Sequence, residues 1–321
     1  MPGDAGHAFL ISRKTFANAL AIAALGWLAA TSMVQGQSLP TEHVTVNGQK
    51  PAPEEKLHDF VRSYAVRAGV AGKMARWKAG ICPMVSGLPE AHTKFVVARV
   101  REVASRVGAP VGSPSCKTNI DIVFTLHPQV LLDDVRKQHH IFLGYHDAAD
   151  EERLATVTHP VQAWYTTQTA DLHGSTTIDD KLRNHGGFYI AGEPKLPPIY
   201  VPDASAVHVT GSHLGDGLSS ELYHVIIIVD LARVQGQTVG ALADYAAMLA
   251  LAQTQSFEAC APVASIANLV SQGCGDEAKT EALTINDLGY LQALYKTDPS
   301  TSFGHQQGEI VMRMNRDAEK R

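Results

Sequence analysis

The sequence predicts an α+β fold: a sheet packed against helices, with a largely helical C-terminal part. Three observations lead there. Leu222-Tyr-His-Val-Ile-Ile-Ile-Val229 is β-branched and apolar on both faces, so it reads as an interior strand covered on both sides. Val239 to Gln253 consists of strong helix formers with a single charge, Asp244, so as a helix it must be buried nearly all round. The first half of the chain alternates strand, helix, strand, helix, which is the pattern of an α/β or α+β layer packed on a sheet.

Taken in order, Pro53 to Val66 carries Leu57, Phe60, Val61 and Tyr64 at helical spacing, with Glu54 and Glu55 in the first turn to suit the helix dipole. Arg76 to Val85 reads as a strand, placed at a sheet edge by Pro83, which has no N–H to give to a ladder. A helix opens at Leu88-Pro-Glu and runs to about Val107, with Phe95, Val96, Val100, Val103 and Val107 along one side. Asn119 to Thr125 is a strand, and Pro128 to His139 is a helix begun by proline.

The middle is less regular. Val161 to Thr169 alternates as a strand, whereas Leu172 to Val201 is rich in Gly, Pro, Asp and His and reads as a long surface excursion. Ala206 to His213 forms a further expected strand, and Ser219 to Tyr223 leads into the interior strand. After the buried helix come three helical stretches: Val263 to Val270, Asn286 to Lys296, and a fraying amphipathic tail from Gln306.

The N-terminus has the layout of a secretory leader. Arg13-Lys14 precedes an apolar run from Phe16 to Ala30, and small residues follow, which implies cleavage near residue 36. The run is shorter than the roughly 20 apolar residues a membrane span needs, so no stable membrane insertion is expected after cleavage. Residues 37 to 53 read as a flexible linker, residues 54 to 300 as one domain and residues 301 to 321 as a helical tail. The expected address is periplasmic or secreted. In such an oxidising compartment an even cysteine count suggests bridges. Cys82, Cys116, Cys260 and Cys274 allow three pairings, of which the neighbouring pairs, Cys82 with Cys116 and Cys260 with Cys274, each close a compact unit. A zinc site is the rival reading, but it lacks C-x-x-C spacing. With a formal net charge of −5 and no Lys/Arg cluster, nothing points to nucleic acid.

Motifs that carry chemistry are scarce. There is no G-x-S-x-G for a nucleophile elbow. Gly215-Asp-Gly217 is too little for a phosphate cradle, and Gly236 to Gly240 has no lysine after it. The fifteen histidines pair by chance: His139, His140 and His146 near a helix end, His208 and His213 near a strand. His224, on the interior strand, must find a partner.

One stretch resembles something known. Leu283-Thr-Ile-Asn-Asp-Leu-Gly-Tyr-Leu-Gln-Ala-Leu-Tyr295 is similar to the segment that closes the catalytic domain of zincin-type metallopeptidases, where L-S/T-x-x-D opens a final helix ending L-Y. Ser265-Ile-Ala-Asn268 resembles their methionine turn, with Ala267 where the Met would be. In working members an H-E-x-x-H helix precedes that turn, its two histidines binding zinc and its Glu serving as general base. Aligned to that pattern, Ala243 and Ala247 occupy the histidine positions, Asp244 the Glu position, and Gln253 falls near the third ligand. The resemblance spans about Glu221 to Tyr295, and more loosely the earlier strands. It implies a twisted mixed sheet without its zinc chemistry. The chain also resembles a group of exported proteobacterial proteins of unassigned activity that share W-x-x-x-I-C-P (Trp77 to Pro83) and L-x-x-L-Y (Leu291 to Tyr295).

Three functions follow as expectations, the third a purely structural envelope role that an exposed apolar patch would mark. The first is a non-catalytic, exported zincin-like protein, without cofactor, that binds a peptide or envelope component. The alternative is a cell-envelope hydrolase using Asp244, His224 and Glu221 with a metal or a water, which requires those side chains to converge in a pocket near the helix.

Overall fold

The computed structural model describes residues 52–144, 146, 150–179, 187–190, 199–202, 209, 216–254, 259–271 and 273–319. In chain order the elements are α1 (Glu54–Tyr64), β1 (Pro83–Ser86), α2 (Glu90–Val107), β2 (Ile120–Thr125), α3 (Pro128–His139), α4 (Glu151–Leu154), β3 (Val161–Ala170) and β4 (Thr176–Ile178). They continue with β5 (Gly187–Ile190), β6 (Ile199–Pro202), β7 (Ser219–Asp230), α5 (Val239–Leu251), α6 (Ile285–Lys296) and α7 (Phe303–Glu319). All lie in one compact unit, Val44–Arg321. The expected leader, and all but the last two residues of the expected linker, lie outside the described residues.

Five strands form a mixed sheet in the order β1-β2-β7-β3-β4. β1, β2 and β7 run parallel, and β3 is antiparallel to both β7 and β4. β7 is therefore the middle strand, as its two-sided apolar character requires. The ladder between β3 and β7 shifts register between Thr166 and Thr167, a bulge that places Tyr223 of β7 as the extra residue. β5 and β6 pair with each other in a separate two-stranded sheet.

Successive residues of β7 serve different layers. Val225, Ile227 and Val229 join Ile120, Ile122 and Phe124 of β2 in the main core, together with the buried residues of α1, α2, α5, α6 and α7. Ile226, Ile228 and Trp164 lie on the other face, beneath Leu132 of α3 and the 3₁₀ turn His140–Leu143. One glycine is indispensable to this layering. Gly87, at φ +87°, turns the chain from β1 toward α2, and a Cβ there would stand 1.8 Å from the carbonyl oxygen of Phe124.

Several expectations need correction. The strand expected over Arg76–Val85 is reduced to Pro83–Ser86, at the edge that Pro83 demands; only an isolated bridge joins Arg76 to Glu221. The excursion Leu172–Val201 contains β4 and β5 and the start of β6, because backbone pairing overrides its turn-rich composition. The helix expected over Val263–Val270 shrinks to a 3₁₀ turn, Ile266–Asn268. Side-chain bonds from Ser265 and Asn268 compete there with helical ones. The tail forms α7, starting at Phe303 and seated on α1 and α6 through Ile310, Val311 and Met314. The strand expected over Ala206–His213 falls outside the described residues, Val209 excepted. Cys82 is bonded to Cys116 and Cys260 to Cys274. Among the described residues no helix is long and apolar enough to cross a membrane.

Candidate functional site

The site to which the sequence directs attention is α5 and what surrounds it. Thr238 starts the helix, its hydroxyl accepting from the Ala241 N–H at 3.1 Å. From Ala241 to Leu251 every residue is buried. A helix enclosed in this way cannot leave its last carbonyls to water. Side chains from three distant segments meet that need. The Tyr165 hydroxyl donates to Leu249 O at 3.0 Å, Trp77 Nε1 to Ala250 O at 2.7 Å and the Tyr295 hydroxyl to Leu251 O at 2.7 Å. The Ala252 N–H donates to Met248 O. Burial holds both phenols well above the ordinary tyrosine value, so they stay protonated and keep donating.

Ala243 and Ala247, at the positions where the resemblance would place zinc ligands, are fully enclosed in the core. Methyl groups offer no lone pair, so these residues do not fit a zinc ion. Asp244 between them is 2% exposed and already engaged. Arg99 of α2 grips it side-on, Nε to Oδ1 at 2.5 Å and Nη2 to Oδ2 at 3.0 Å, and the Leu283 N–H donates to Oδ2 at 2.9 Å. Burial works to lower the Arg99 pKa, yet the hydrogen bonds and charge of Asp244 prevail and leave it raised. A carboxylate held in a bidentate guanidinium fork and by an amide has no role left as a base.

Behind α5 lies a second buried carboxylate, which fastens the turn Ser265–Asn268 to α6. Thr284 and Asp287 form a capping box at the start of α6. Asp287 also accepts from the Ser265 hydroxyl at 2.5 Å and from the Ile266 N–H at 2.9 Å, and the Tyr64 hydroxyl lies 2.8 Å from Ser265 Oγ. With Ser265 donating to Asp287, Tyr64 donates to Ser265. Burial pushes the Asp287 pKa up against these bonds, and it raises Tyr64 further with help from the Asp287 charge. The spacing Thr284-x-x-Asp287 signals the cap in sequence; nothing in sequence signals the link to Tyr64.

The remaining candidates stand apart from Asp244. His224 pairs through Nε2 with Asp121 Oδ2 at 3.0 Å and stacks on Phe142, with ring centroids 4.3 Å apart. Phe142 packs against the smaller core, on the sheet face away from α5. Glu221 accepts from Gln168 Nε2 at 2.8 Å. Asp244, His224 and Glu221 therefore do not converge, and the pocket required by the hydrolase expectation does not form from them. Among the described residues no three His, Cys, Asp or Glu side chains are grouped as a metal would need. In comparisons with known proteins, no family model, no curated protein and no solved structure matches the chain.

Proposed function

We propose that this chain is an exported, non-catalytic zincin-like protein that binds a peptide or an envelope component. One observation carries the reading. At the positions that bear catalytic groups in the peptidases it resembles, there are two buried methyl side chains and a carboxylate already paired with Arg99 and a backbone amide. The order of elements supports the likeness. A central strand, β7, leads into the buried helix α5; a serine-started turn at Ser265 follows; and that turn is tied to the opening of α6 by Asp287. The two disulfides accord with an oxidising destination.

The test is metal content of the purified mature protein together with turnover of generic peptide substrates. Less than about 0.1 equivalent of zinc and no turnover is the expected result, since structural and catalytic zinc sites are both built from His, Cys and carboxylate ligands. Stoichiometric zinc, or zinc-dependent peptide cleavage, refutes the non-catalytic reading.

A further inference from the structure

A cavity of about 320 Å³ opens beside the start of α5, away from the Asp244 pair and independent of the zincin likeness. It falls at the lower end of the size range of small-molecule sites. Its walls come from the β7–α5 connection, which supplies Arg233 and Gln237, and from the segment after the Ile266–Asn268 turn, which supplies Leu269, Val270 and Ser271; Pro160 and Lys279 complete them. The Cys260–Cys274 bridge closes the loop that carries Leu269 to Ser271. None of the described lining residues is acidic.

From this lining we infer a binding site for a small organic anion, a carboxylate or a phosphoryl group carried on an apolar body. Arg233 and Lys279 supply two positive charges around one opening. Arg233 is steadied by Nη2 donating to Thr158 O at 3.0 Å, which engages one of the five donors of its guanidinium. Among the described residues Lys279 pairs with Asp276, 3.0 Å away and 98% exposed, a pairing that a bound anion can replace at little loss. The positive end of the α5 dipole adds to the same potential. Leu269 and Val270 give the apolar part of a ligand a surface to cover, and Gln237 offers both an amide donor and an acceptor. A neutral ligand of the same shape would gain the apolar contact alone.

The experiment titrates the mature protein at low ionic strength with phenyl phosphate, with phenylacetate and with neutral phenylacetamide, following heat or amide chemical shifts. At least one anion should bind saturably, with phenylacetamide weaker by about tenfold or more. The double variant Arg233→Gln/Lys279→Gln should lose about tenfold in affinity for the anion while its unfolding midpoint stays put, because neither charged end is enclosed. The better-bound anion identifies the ligand as carboxylate or phosphoryl. The inference is overturned by equal affinity for phenylacetamide, by undiminished anion binding in the double variant, or by no saturable binding up to about 10 mM. Should the variant fold poorly, the comparison of charged and neutral probes on the wild-type protein decides alone.

Discussion

Removing Arg99 should destabilise this protein more than removing any exposed charge. In Arg99→Met the side chain keeps much of its length and apolar stem, but Asp244, 2% exposed, loses both bonds of the guanidinium fork and retains only the Leu283 N–H. Stranding one partner of a buried pair costs about 3–5 kcal/mol, a large share of the ~5–15 kcal/mol that holds a domain folded. Arg99→Met/Asp244→Asn removes both charges and keeps a carbonyl oxygen for the Leu283 amide. It should therefore recover about 2 kcal/mol of that loss, so the two substitutions are strongly non-additive. Equilibrium urea unfolding, followed by the fluorescence of the buried Trp77 and Trp164, measures all four corners of the cycle. A loss under about 1 kcal/mol for Arg99→Met, or a double variant as unstable as the two singles summed, would show that Asp244 is not held as an ion pair. Asp244 would then be available as a free base.

The other predictions follow from the same contacts. Tyr165→Phe and Tyr295→Phe each leave a buried carbonyl at the end of α5 without its donor, and urea unfolding should register a loss of about 1–3 kcal/mol for each. Replacing Cys82 and Cys116 by serine opens a bridge spanning 34 residues and should cost about 4 kcal/mol; for Cys260 and Cys274, 14 apart, about 3 kcal/mol. Titration should show Asp287 through pH. Its folded-state pKa is raised, so the folded protein holds that proton more tightly than the unfolded chain. The stability this contributes is full below the ordinary value of 3.8 and is lost as pH rises through the raised value. Wild type should accordingly lose stability relative to Asp287→Asn as pH is raised from about 4; parallel pH profiles for the two proteins would refute the assignment.

What could be read from the sequence was what local pattern encodes. The two-sided apolar run in β7 and the almost uncharged α5 reveal burial because no other environment suits them, and Pro128 fixes the first residue of α3. The failures occur where a long-range contact outweighs composition. β4 is only three residues of Thr-Thr-Ile, and it is a strand because β3 offers it a ladder. Val263 to Val270 has helical apolar spacing, yet Asn268 accepts from the Ala261 N–H within the Cys260–Cys274 loop and donates to Ala278 O just beyond it, folding the segment back on itself. Arg76 and Trp77 were expected in a strand ladder. Instead their side chains serve helix ends, Arg76 Nη1 donating to Leu294 O at 2.6 Å and Trp77 donating to Ala250 O.

The candidate site divides along the same line. That Ala243 and Ala247 cannot coordinate a metal follows from their identity, with no structure needed. What became of the carboxylate between them was not legible, since Arg99 is 145 residues away and sits among other surface-compatible charges of α2. The physical demand was nonetheless visible: an ionised side chain on a helix enclosed on every side must meet a positive charge or take up a proton. A helix that carried zinc beside its carboxylate would satisfy that demand with the ion. With methyl groups at 243 and 247, the positive charge has to come from elsewhere in the protein, and a side-on arginine supplies it together with two directed hydrogen bonds. The methyl groups flanking Asp244 and the presence of Arg99 thus answer one requirement, and placing histidines at 243 and 247 without also removing Arg99 should leave Asp244 locked. Ala243→His/Ala247→His should bind zinc no better than wild type in a competition with a chromogenic chelator, and it should lose about 1–3 kcal/mol of stability per inserted ring from overpacking. Tight zinc binding by that variant would mean that a metal-sized space persists beside α5 and that the enclosed alanines do not fill it.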